Sequence, residues 1–178
     1  MNEQIPYQVT SAAKAYEAFV QLPVAVVLDN LRSLYNVGSF FRTGDAAGIE
    51  KLYLSGITGV PPHKGIAKTA LGAEDTVLWE RADNAMQLVL ALRGRGYEIA
   101  AIETSIQAVD LFDWRPQFPV CLLFGNEKEG LSADLAAAAD RHIRIPMLGM
   151  KHSLNVSTAG GIVLYELLRK YRKLFEPM

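Results

Sequence analysis

Short runs of aliphatic residues recur from Pro23 onward, and segments with apolar residues at helical spacing separate them. Continuous apolar runs of this length are typical of strands buried on both faces of a parallel sheet. The predicted strands are residues 24–28, 51–55, 76–79, 98–102, 120–124 and 142–146. The predicted helices are residues 36–47, a short helix ending at Leu71, and residues 84–95, 131–139 and 153–173. This alternation predicts an α/β fold with a mainly parallel sheet flanked by helices.

The first 22 residues precede the alternating pattern and predict a helical appendage. Ser11 is a suitable N-cap, and apolar residues such as Tyr16 and Phe19 fall on one face of the helix that would follow. A chain of 178 residues has the length of one domain rather than two. Residues 23–178 are therefore predicted to form a single domain.

The composition is that of an ordinary globular protein, with 50% hydrophobic and 21% charged residues. The N-terminus lacks the features of a signal peptide, and no apolar run approaches the roughly 18 residues of a membrane span. The single cysteine, Cys121, has no partner for an internal disulfide, which fits a cytoplasmic protein. The histidines, His63, His142 and His152, lack metal-ligand spacing, so no metal site is predicted.

The formal net charge of −1 does not by itself predict nucleic-acid binding. Residues 169–173 nevertheless carry four cations at the end of the last predicted helix. Cations at a helix C-terminus complement the helix dipole, and we favour this interpretation over an RNA-binding tail, although both can hold.

A first polar segment follows the first predicted strand and contains Asn30, Asn36 and Arg42. Asn36 is predicted to be the N-cap of the helix that begins at Val37. Arg42 lies six residues further on, in the body of that helix. Taken alone, this segment favours a salt-bridged surface arginine.

A second segment, residues 124–131 (F-G-N-E-K-E-G-L), leaves a buried strand directly through Gly125. Ligands of open α/β sheets bind in the crevice beyond the carboxyl ends of the strands. The segment has no Lys-Ser/Thr pair after its glycine, and the chain contains no G-x-G-x-x-G. A P-loop and a dinucleotide-binding Rossmann site are therefore not predicted.

A third segment, residues 145–157 (I-P-M-L-G-M-K-H-S-L-N-V-S), leads into the last predicted helix at Ser153. The first half of that helix contains the small residues Ser157, Thr158, Gly160 and Gly161. Glycine costs about 1 kcal/mol against alanine inside a helix, so we expect something to approach this backbone closely. The free N–H groups of the first turn favour a ligand site there.

In combination and in order, the three segments resemble the signature motifs of the SpoU/TrmH branch of the SPOUT methyltransferases. The first motif is matched by Asn30, Asn36, Gly38 and Arg42. The second, F-G-x-E-x-x-G-L, is matched by residues 124–131, and the third, I-P-M-x-G-x-x-x-S-L-N-V-S, by residues 145–157. The resemblance covers residues 24–170.

This resemblance implies a C-terminal deep trefoil knot, which no pattern argument would reach. It also implies S-adenosylmethionine as cofactor, bound by backbone atoms of the knot loops, and a homodimer formed through the knot region. The cofactor-binding residues it implies are Thr104, Gly125, Asn126, Gly130, Ile145, Met147, Ser153 and Leu154. No membrane association is expected.

The resemblance further implies methyl transfer to the 2′-oxygen of a ribose in RNA. The catalytic residues would be Arg42, Asn36, Glu127, Ser153 and Asn155. Because an arginine side chain stays protonated, we expect Arg42 to clamp a phosphate and polarise the hydroxyl rather than act as a base. Asn36 would orient Arg42 or the substrate, and Glu127 would anchor its loop or contact Arg42. Ser153 and Asn155 would cap the last helix or contact the substrate.

Three alternatives remain open on sequence alone. A SPOUT enzyme that methylates a base would keep the fold and cofactor, but Arg42 within N-x-G-x-x-x-R favours ribose. A non-catalytic RNA-binding protein would keep the knot, and a generic nucleotide-binding α/β module would lack the family altogether. Among RNAs, a near-neutral chain without an added RNA-binding domain favours a small folded substrate, tRNA over rRNA.

Overall fold

A computed structural model describes residues 21–175 and contains one seven-stranded parallel sheet. The strands are β1 (Leu22–Asp29), β2 (Ile49–Ser55), β3 (Trp79–Ala82), β4 (Glu98–Ile102), β5 (Val109–Asp110), β6 (Val120–Phe124) and β7 (Arg141–Arg144). The helices are α1 (Leu34–Ala47), α2 (Lys64–Ala70), α3 (Ala85–Gly94), α4 (Ala133–Ala137) and α5 (Val156–Lys173). The strand order is β3-β2-β1-β6-β4-β7-β5, and every neighbouring pair is parallel.

The predicted α/β class with a mainly parallel sheet is confirmed. The predicted appendage lies outside the described residues apart from Gln21 and Leu22, and Leu22 is the first residue of β1. The trefoil knot stays a prediction.

The core lies on both faces of the sheet, and β1 shows why its sequence is apolar throughout. Val24, Val26 and Leu28 pack on the face covered by α1 and α5. Ala25 and Val27, which alternate with them, pack on the opposite face against α3 and α4. Successive side chains of a strand point to opposite faces, so a central strand covered on both sides needs an apolar residue at every position.

Several element boundaries differ from the prediction; β7, for example, is Arg141–Arg144 and not residues 142–146. The strand predicted at residues 76–79 begins later, as β3 at Trp79–Ala82. Thr76 and Val77 are not part of it, because their backbone N–H groups donate to the Ala73 carbonyl and close a 3-10 turn. The helix predicted at residues 131–139 is limited to α4, which Ser132 caps. The two-residue strand β5 has no sequence pattern of its own and was not predicted.

Both ends of α1 follow from its flanking residues, but the predicted N-cap is wrong. Ser33, not Asn36, is the N-cap, and its hydroxyl accepts from the Asn36 backbone N–H at 3.3 Å. The predicted stop at Gly48 is confirmed, since this residue adopts a left-handed conformation with φ 67°. The Asn36 side chain is therefore left available for other contacts.

Gly160, one of the small residues of α5, serves helix packing. A Cβ on Gly160 would lie 2.3 Å from Cε1 of Phe40 in α1. The Phe40 ring in turn meets Phe124 edge-on, with the ring centroids 5.0 Å apart. At Gly160, the close approach expected from the sequence is therefore made by an aromatic ring of the protein and not by a ligand.

We expect Gly160→Ala to lower the free energy of unfolding by about 1–3 kcal/mol, because the buried Phe40 ring must shift. Gly161→Ala is the matched control, since its Cβ would make an ordinary 3.8 Å contact with Thr43. It should be neutral or stabilise by up to about 1 kcal/mol through helix propensity. Urea denaturation of both variants checks this, and equal stabilities would contradict the packing argument.

The basic end of α5 is partly used inside the fold. The Lys170 ammonium donates to the carbonyls of Leu111 (2.6 Å) and Trp114, and burial lowers the pKa of Lys170. The Arg169 guanidinium is paired with Glu166 of the same helix. These two cations therefore serve local contacts.

Two further predictions from the sequence concern the cellular location of the protein. No helix within residues 21–175 is long and apolar enough to cross a bilayer. Cys121 is fully buried in β6, and burial raises the pKa of its thiol to about 12. The reducing location inferred from this cysteine stays a prediction.

Candidate active site

The three polar segments meet beyond the carboxyl ends of β1, β6, β4 and β7, which are neighbours in the sheet. A cavity of about 360 Å³ lies there. It is lined by all of the residues expected to bind a cofactor: Thr104, Gly125, Asn126, Gly130, Ile145, Met147, Ser153 and Leu154. The fold thus brings together residues that the sequence spreads over about fifty positions, at the edge where open parallel sheets bind ligands.

The loop after β6 is held in a tight turn by Asn126, which is almost fully buried. Its backbone exchanges hydrogen bonds with Gly130 at 3.0 and 2.8 Å. Its side-chain amide donates to the Asn30 carbonyl at 2.8 Å, and its side-chain oxygen accepts from the Lys128 N–H at 2.9 Å. Asn126 lines the cavity, but its side chain is engaged in holding the loop.

At Gly125 the start of this loop packs directly against the backbone at its end. A Cβ at this position would lie 2.3 Å from the Gly130 carbonyl carbon and from the Leu131 nitrogen. Both are backbone atoms, which cannot move aside without opening the turn. A glycine is therefore required where the loop forms the cavity wall.

Three side chains, one from each polar segment, form a hydrogen-bonded chain at the mouth of the cavity. The Asn36 amide donates to Glu127 Oε1 at 3.0 Å, and the Asn155 amide donates to Asn36 Oδ1 at 3.1 Å. The Glu127 carboxylate also accepts from the backbone N–H groups of Arg32 and Ser33, both at 3.2 Å. It therefore binds the free N–H groups at the start of α1, where negative charge is favoured.

The environment of Glu127 favours its ionised form. Burial acts to raise the pKa of this carboxyl, but the hydrogen bonds it accepts from backbone N–H groups and Asn36 act in the opposite direction. Together they leave the pKa of Glu127 below its ordinary value of 4.5. Glu127 is thus a carboxylate near neutral pH, with the Asn36 amide fixed as a donor toward it.

The stabilisation by Glu127 is expected to be complete above about pH 5 and to be lost as the pH falls below 4.5. The folded state favours the carboxylate, and its protonation in acid weakens the hydrogen bonds that its oxygens accept. The unfolding free energies of the parent and Glu127→Gln should therefore differ most near neutral pH and converge in acid. Urea denaturation across pH tests this, and a difference independent of pH would contradict it.

Of the two residues expected to cap α5, Ser153 and Asn155, only Asn155 does so. Asn155 is the N-cap, and its side-chain oxygen accepts from the N–H groups of Ser157 and Thr158 at 3.0 and 3.2 Å. Ser153 lies before the helix and lines the cavity, so the predicted helix start at Ser153 is wrong. The exposed Ser153 is placed to contact a ligand, whereas Asn155 ties α5 to α1.

Arg42 lies apart from this hydrogen-bonded chain, on the exposed face of α1. Six residues of helix carry it about 9 Å along the axis from Asn36. None of the ion pairs found within residues 21–175 involves Arg42, and the hydrogen bonds found there for Asn36 and Glu127 go to other partners. Contact between Arg42 and Glu127, one of the expected roles, is not found in that part of the chain.

Two charged residues of the cavity were not predicted. Glu103 follows the last residue of β4, and Lys128 lies in the loop after β6. The position of Glu103, directly after an apolar strand and before Thr104, was the available signal. Within residues 21–175 no group of His, Cys, Asp and Glu is arranged to hold a metal ion.

The sequence profile of the SpoU rRNA methylase family matches residues 23–165. A tRNA (guanosine(18)-2′-O)-methyltransferase of Aquifex aeolicus is 36% identical over 152 residues, covering 84% of this chain and 71% of the relative. The enzyme of the same name from Escherichia coli is 33% identical over 150 residues, covering 84% of this chain and 65% of the relative.

Solved structures resemble the fold closely. The TrmH/SpoU tRNA modifying enzyme of Aquifex aeolicus has a TM-score of 0.79 and 35% identity, over 86% of this chain and 78% of that chain. An AdoMet-bound rRNA methyltransferase from Sinorhizobium meliloti has a TM-score of 0.77 and 30% identity, over 89% of this chain and 62% of that chain. With most of its length matched by the family profile, and its motifs gathered around one cavity, this chain belongs to the SpoU rRNA methylase family.

Proposed function

We propose that this protein transfers the methyl group of S-adenosylmethionine to the 2′-hydroxyl of a ribose in RNA. The observation that carries the proposal is the hydrogen-bonded chain of Glu127, Asn36 and Asn155 beside the cavity. It unites the three motif segments at one place. The names of the relatives, which refer to tRNA and rRNA methylation, support the same reaction.

The cavity suits S-adenosylmethionine in size and chemistry. Its volume falls within the range of small-molecule sites, roughly 300–1,000 Å³. Ile102, Ile145 and Leu154 offer apolar surface for an adenine, and the backbone around Gly125 and Gly130 offers hydrogen-bonding groups. When bound, the sulfonium supplies an electrophilic methyl group.

Residues at the mouth of the cavity and on the exposed face of α1 would hold and activate the ribose. The reacting hydroxyl must approach in line, so its nucleotide has to be fixed on both sides. Arg42 provides two parallel N–H donors for a neighbouring phosphate and polarises the hydroxyl, whose proton passes to phosphate or water. Asn36 and Glu127 fix the start of α1 and therefore the helix that carries Arg42, while Ser153 contacts the nucleotide at the cavity edge.

The exposed face of α1 supports RNA as the partner. Tyr35, Ser39 and Arg42 lie on this face at helical spacing, and Tyr35 is 53% exposed. The Lys68 ammonium lies 6.0 Å from the centroid of the Tyr35 ring. An aromatic ring with cations around it suits stacked bases and phosphates. Among RNAs we favour tRNA, on which two of the relatives act by name.

We further propose that the protein is a homodimer formed through the knot region. Leu148 and Met150, in the loop between β7 and α5, are almost fully exposed in a single chain. Apolar side chains exposed beside a ligand cavity favour cover by a second copy. Light scattering during gel filtration tests this, and a monomeric mass at micromolar concentration would refute it.

The deciding experiment measures methyl transfer from labelled S-adenosylmethionine to unmodified tRNA and rRNA fractions, followed by digestion to nucleosides. Label in a 2′-O-methylnucleoside is the expected result, and the labelled fraction identifies the RNA class. Label on a base would instead establish the base-methylating alternative. No label in either fraction, with cofactor binding intact, would support the non-catalytic alternative.

A further inference from the structure

Glu103 presents a carboxylate to the cavity from a fixed backbone. It is the first residue after β4, and its backbone N–H donates to the Ile143 carbonyl of β7 at 3.0 Å. Its side chain is 27% exposed, and the residue lines the cavity together with its neighbours Ile102 and Thr104. The backbone of Glu103 is thus held by the sheet.

His142 holds one oxygen of this carboxylate. Its Nδ1 lies 2.8 Å from Glu103 Oε1, and its Nε2 lies 3.0 Å from the Ala136 carbonyl oxygen in α4. Both partners are hydrogen-bond acceptors that lie within hydrogen-bonding distance of the ring nitrogens. The arrangement gives Glu103 a directional partner and ties it to α4.

Glu127, the other acidic residue that lines the cavity, has no carboxylate oxygen left without a hydrogen bond from the protein. Both oxygens of Glu127 already accept hydrogen bonds from the protein, from the Arg32 and Ser33 N–H groups and from Asn36. For Glu103, the only side-chain hydrogen bond found within residues 21–175 is the one to His142. Glu103 is therefore the carboxylate with an oxygen to offer to a bound molecule.

We propose that Glu103 binds the cofactor by accepting a hydrogen bond from it, and that His142 is the residue that positions Glu103. This inference rests on the proposed use of S-adenosylmethionine. The molecule carries two kinds of donor that suit a carboxylate, the ribose hydroxyls and the ammonium of its methionine part. Both are retained in the product, S-adenosylhomocysteine, which can therefore serve as an unreactive probe.

The test is calorimetric titration of S-adenosylhomocysteine into the purified full-length chain. Glu103→Gln keeps the shape of the side chain but removes its charge, and we expect about tenfold weaker binding or more. Glu129→Gln is the matched control, because Glu129 is a nearby exposed carboxylate that does not line the cavity. It should bind like the parent. Circular dichroism and thermal unfolding without ligand check that each variant is folded.

A second probe identifies the donor group. 5′-Methylthioadenosine has the ribose but lacks the amino-acid part. A loss in Glu103→Gln for both probes assigns the contact to the ribose hydroxyls, and a loss for S-adenosylhomocysteine alone assigns it to the ammonium. Should Glu103→Gln not fold, Glu103→Asp withdraws the carboxylate by one methylene and should also weaken binding.

The positioning role of His142 is tested by a double-mutant cycle. His142→Phe should weaken binding of S-adenosylhomocysteine, but the double variant with Glu103→Gln should bind no more weakly than Glu103→Gln alone. His142→Asn retains a donor near the position of Nδ1 and should recover much of the affinity. Losses that simply add would overturn the positioning role.

Two results separate failure of the inference from failure of the proposed function. If the parent binds S-adenosylhomocysteine and Glu103→Gln binds equally well, the inference is overturned and the proposed cofactor stands. The inference is also overturned if Glu103→Gln changes only the thermal stability, because the Glu103–His142 pair would then serve the fold and not the cofactor. If the parent binds neither probe, the proposed cofactor and the inference both fail.

Discussion

Arg42→Lys is expected to slow single-turnover methyl transfer by about 10²–10³-fold, the scale of losing one transition-state contact. Lysine keeps the positive charge but loses the planar pair of donors that fits two phosphate oxygens. Affinity for S-adenosylhomocysteine should be unchanged, because Arg42 lies on the exposed face of α1 and does not line the cavity. The measurement pairs a rapid-quench methyl-transfer assay on the RNA substrate with calorimetry on the cofactor product.

The control for this variant is Arg81→Lys. Arg81 lies on β3, at the edge of the sheet, and its ion-pair partner is the exposed Asp83. Its replacement should leave both the rate and the cofactor affinity unaffected. Near-normal turnover in Arg42→Lys would show that charge alone suffices, and the phosphate-clamp role would then be wrong.

Gly125→Ala is expected to weaken binding of S-adenosylhomocysteine by about 100-fold or more. A methyl group at this position overlaps the Gly130–Leu131 peptide bond at 2.3 Å, so the turn that forms the cavity wall must open. The sheet should persist, because β6 ends one residue earlier at Phe124. Calorimetry for binding and circular dichroism for secondary structure give the two readouts.

Gly149→Ala provides the matched comparison in a neighbouring loop. An added Cβ there meets no atom within 4 Å, and the residue does not adopt a left-handed backbone conformation. Binding should therefore remain close to that of the parent. Equal losses in both variants would mean that loop flexibility, and not the overlap at Gly125, determines the affinity.

The sheet was predictable because its central strands are covered on both sides. Every position of such a strand must be apolar, and this leaves a continuous apolar signal at β1 and β6. The edge of the sheet has no such requirement. Thr76 and Val77 have the β-branched side chains typical of strands, but local hydrogen bonds to Ala73 take them into a turn, and β3 begins later.

The convergence of the motif loops around one cavity was predictable, but the contacts between them were not. Motif order indicated which loops should converge, and the cavity is lined by residues from each of the expected loops. Residue type could not decide whether Ser33 or Asn36 caps α1, because both are good N-caps. Ser33 takes that role, and Asn36 is thereby free to join Glu127 to Asn155.

Small residues in a helix gave an ambiguous signal for a physical reason. A glycine indicates close approach of some group without identifying it, and at Gly160 that group is the ring of Phe40. Glu103 was missed for the opposite reason, since a single acidic residue after a strand has no spacing that sets it apart. Its place directly after β4 was a weak signal, and its position beside His142 in the folded chain is what sets it apart.

The hydrogen bonds that assemble this site also determine when it can form during folding. They join Asn36 to Glu127 across 91 positions and to Asn155 across 119, while Asn126 reaches Asn30 across 96. Closing loops of that size carries an entropic cost that is recovered only when the distant segments finally pack. A nascent chain that has not yet released residues 145–157 from the ribosome lacks one wall of the cavity and the cap of α5. We therefore expect methyl-transfer competence to appear only after residues 145–157 have emerged, so that a product truncated before them cannot act on RNA.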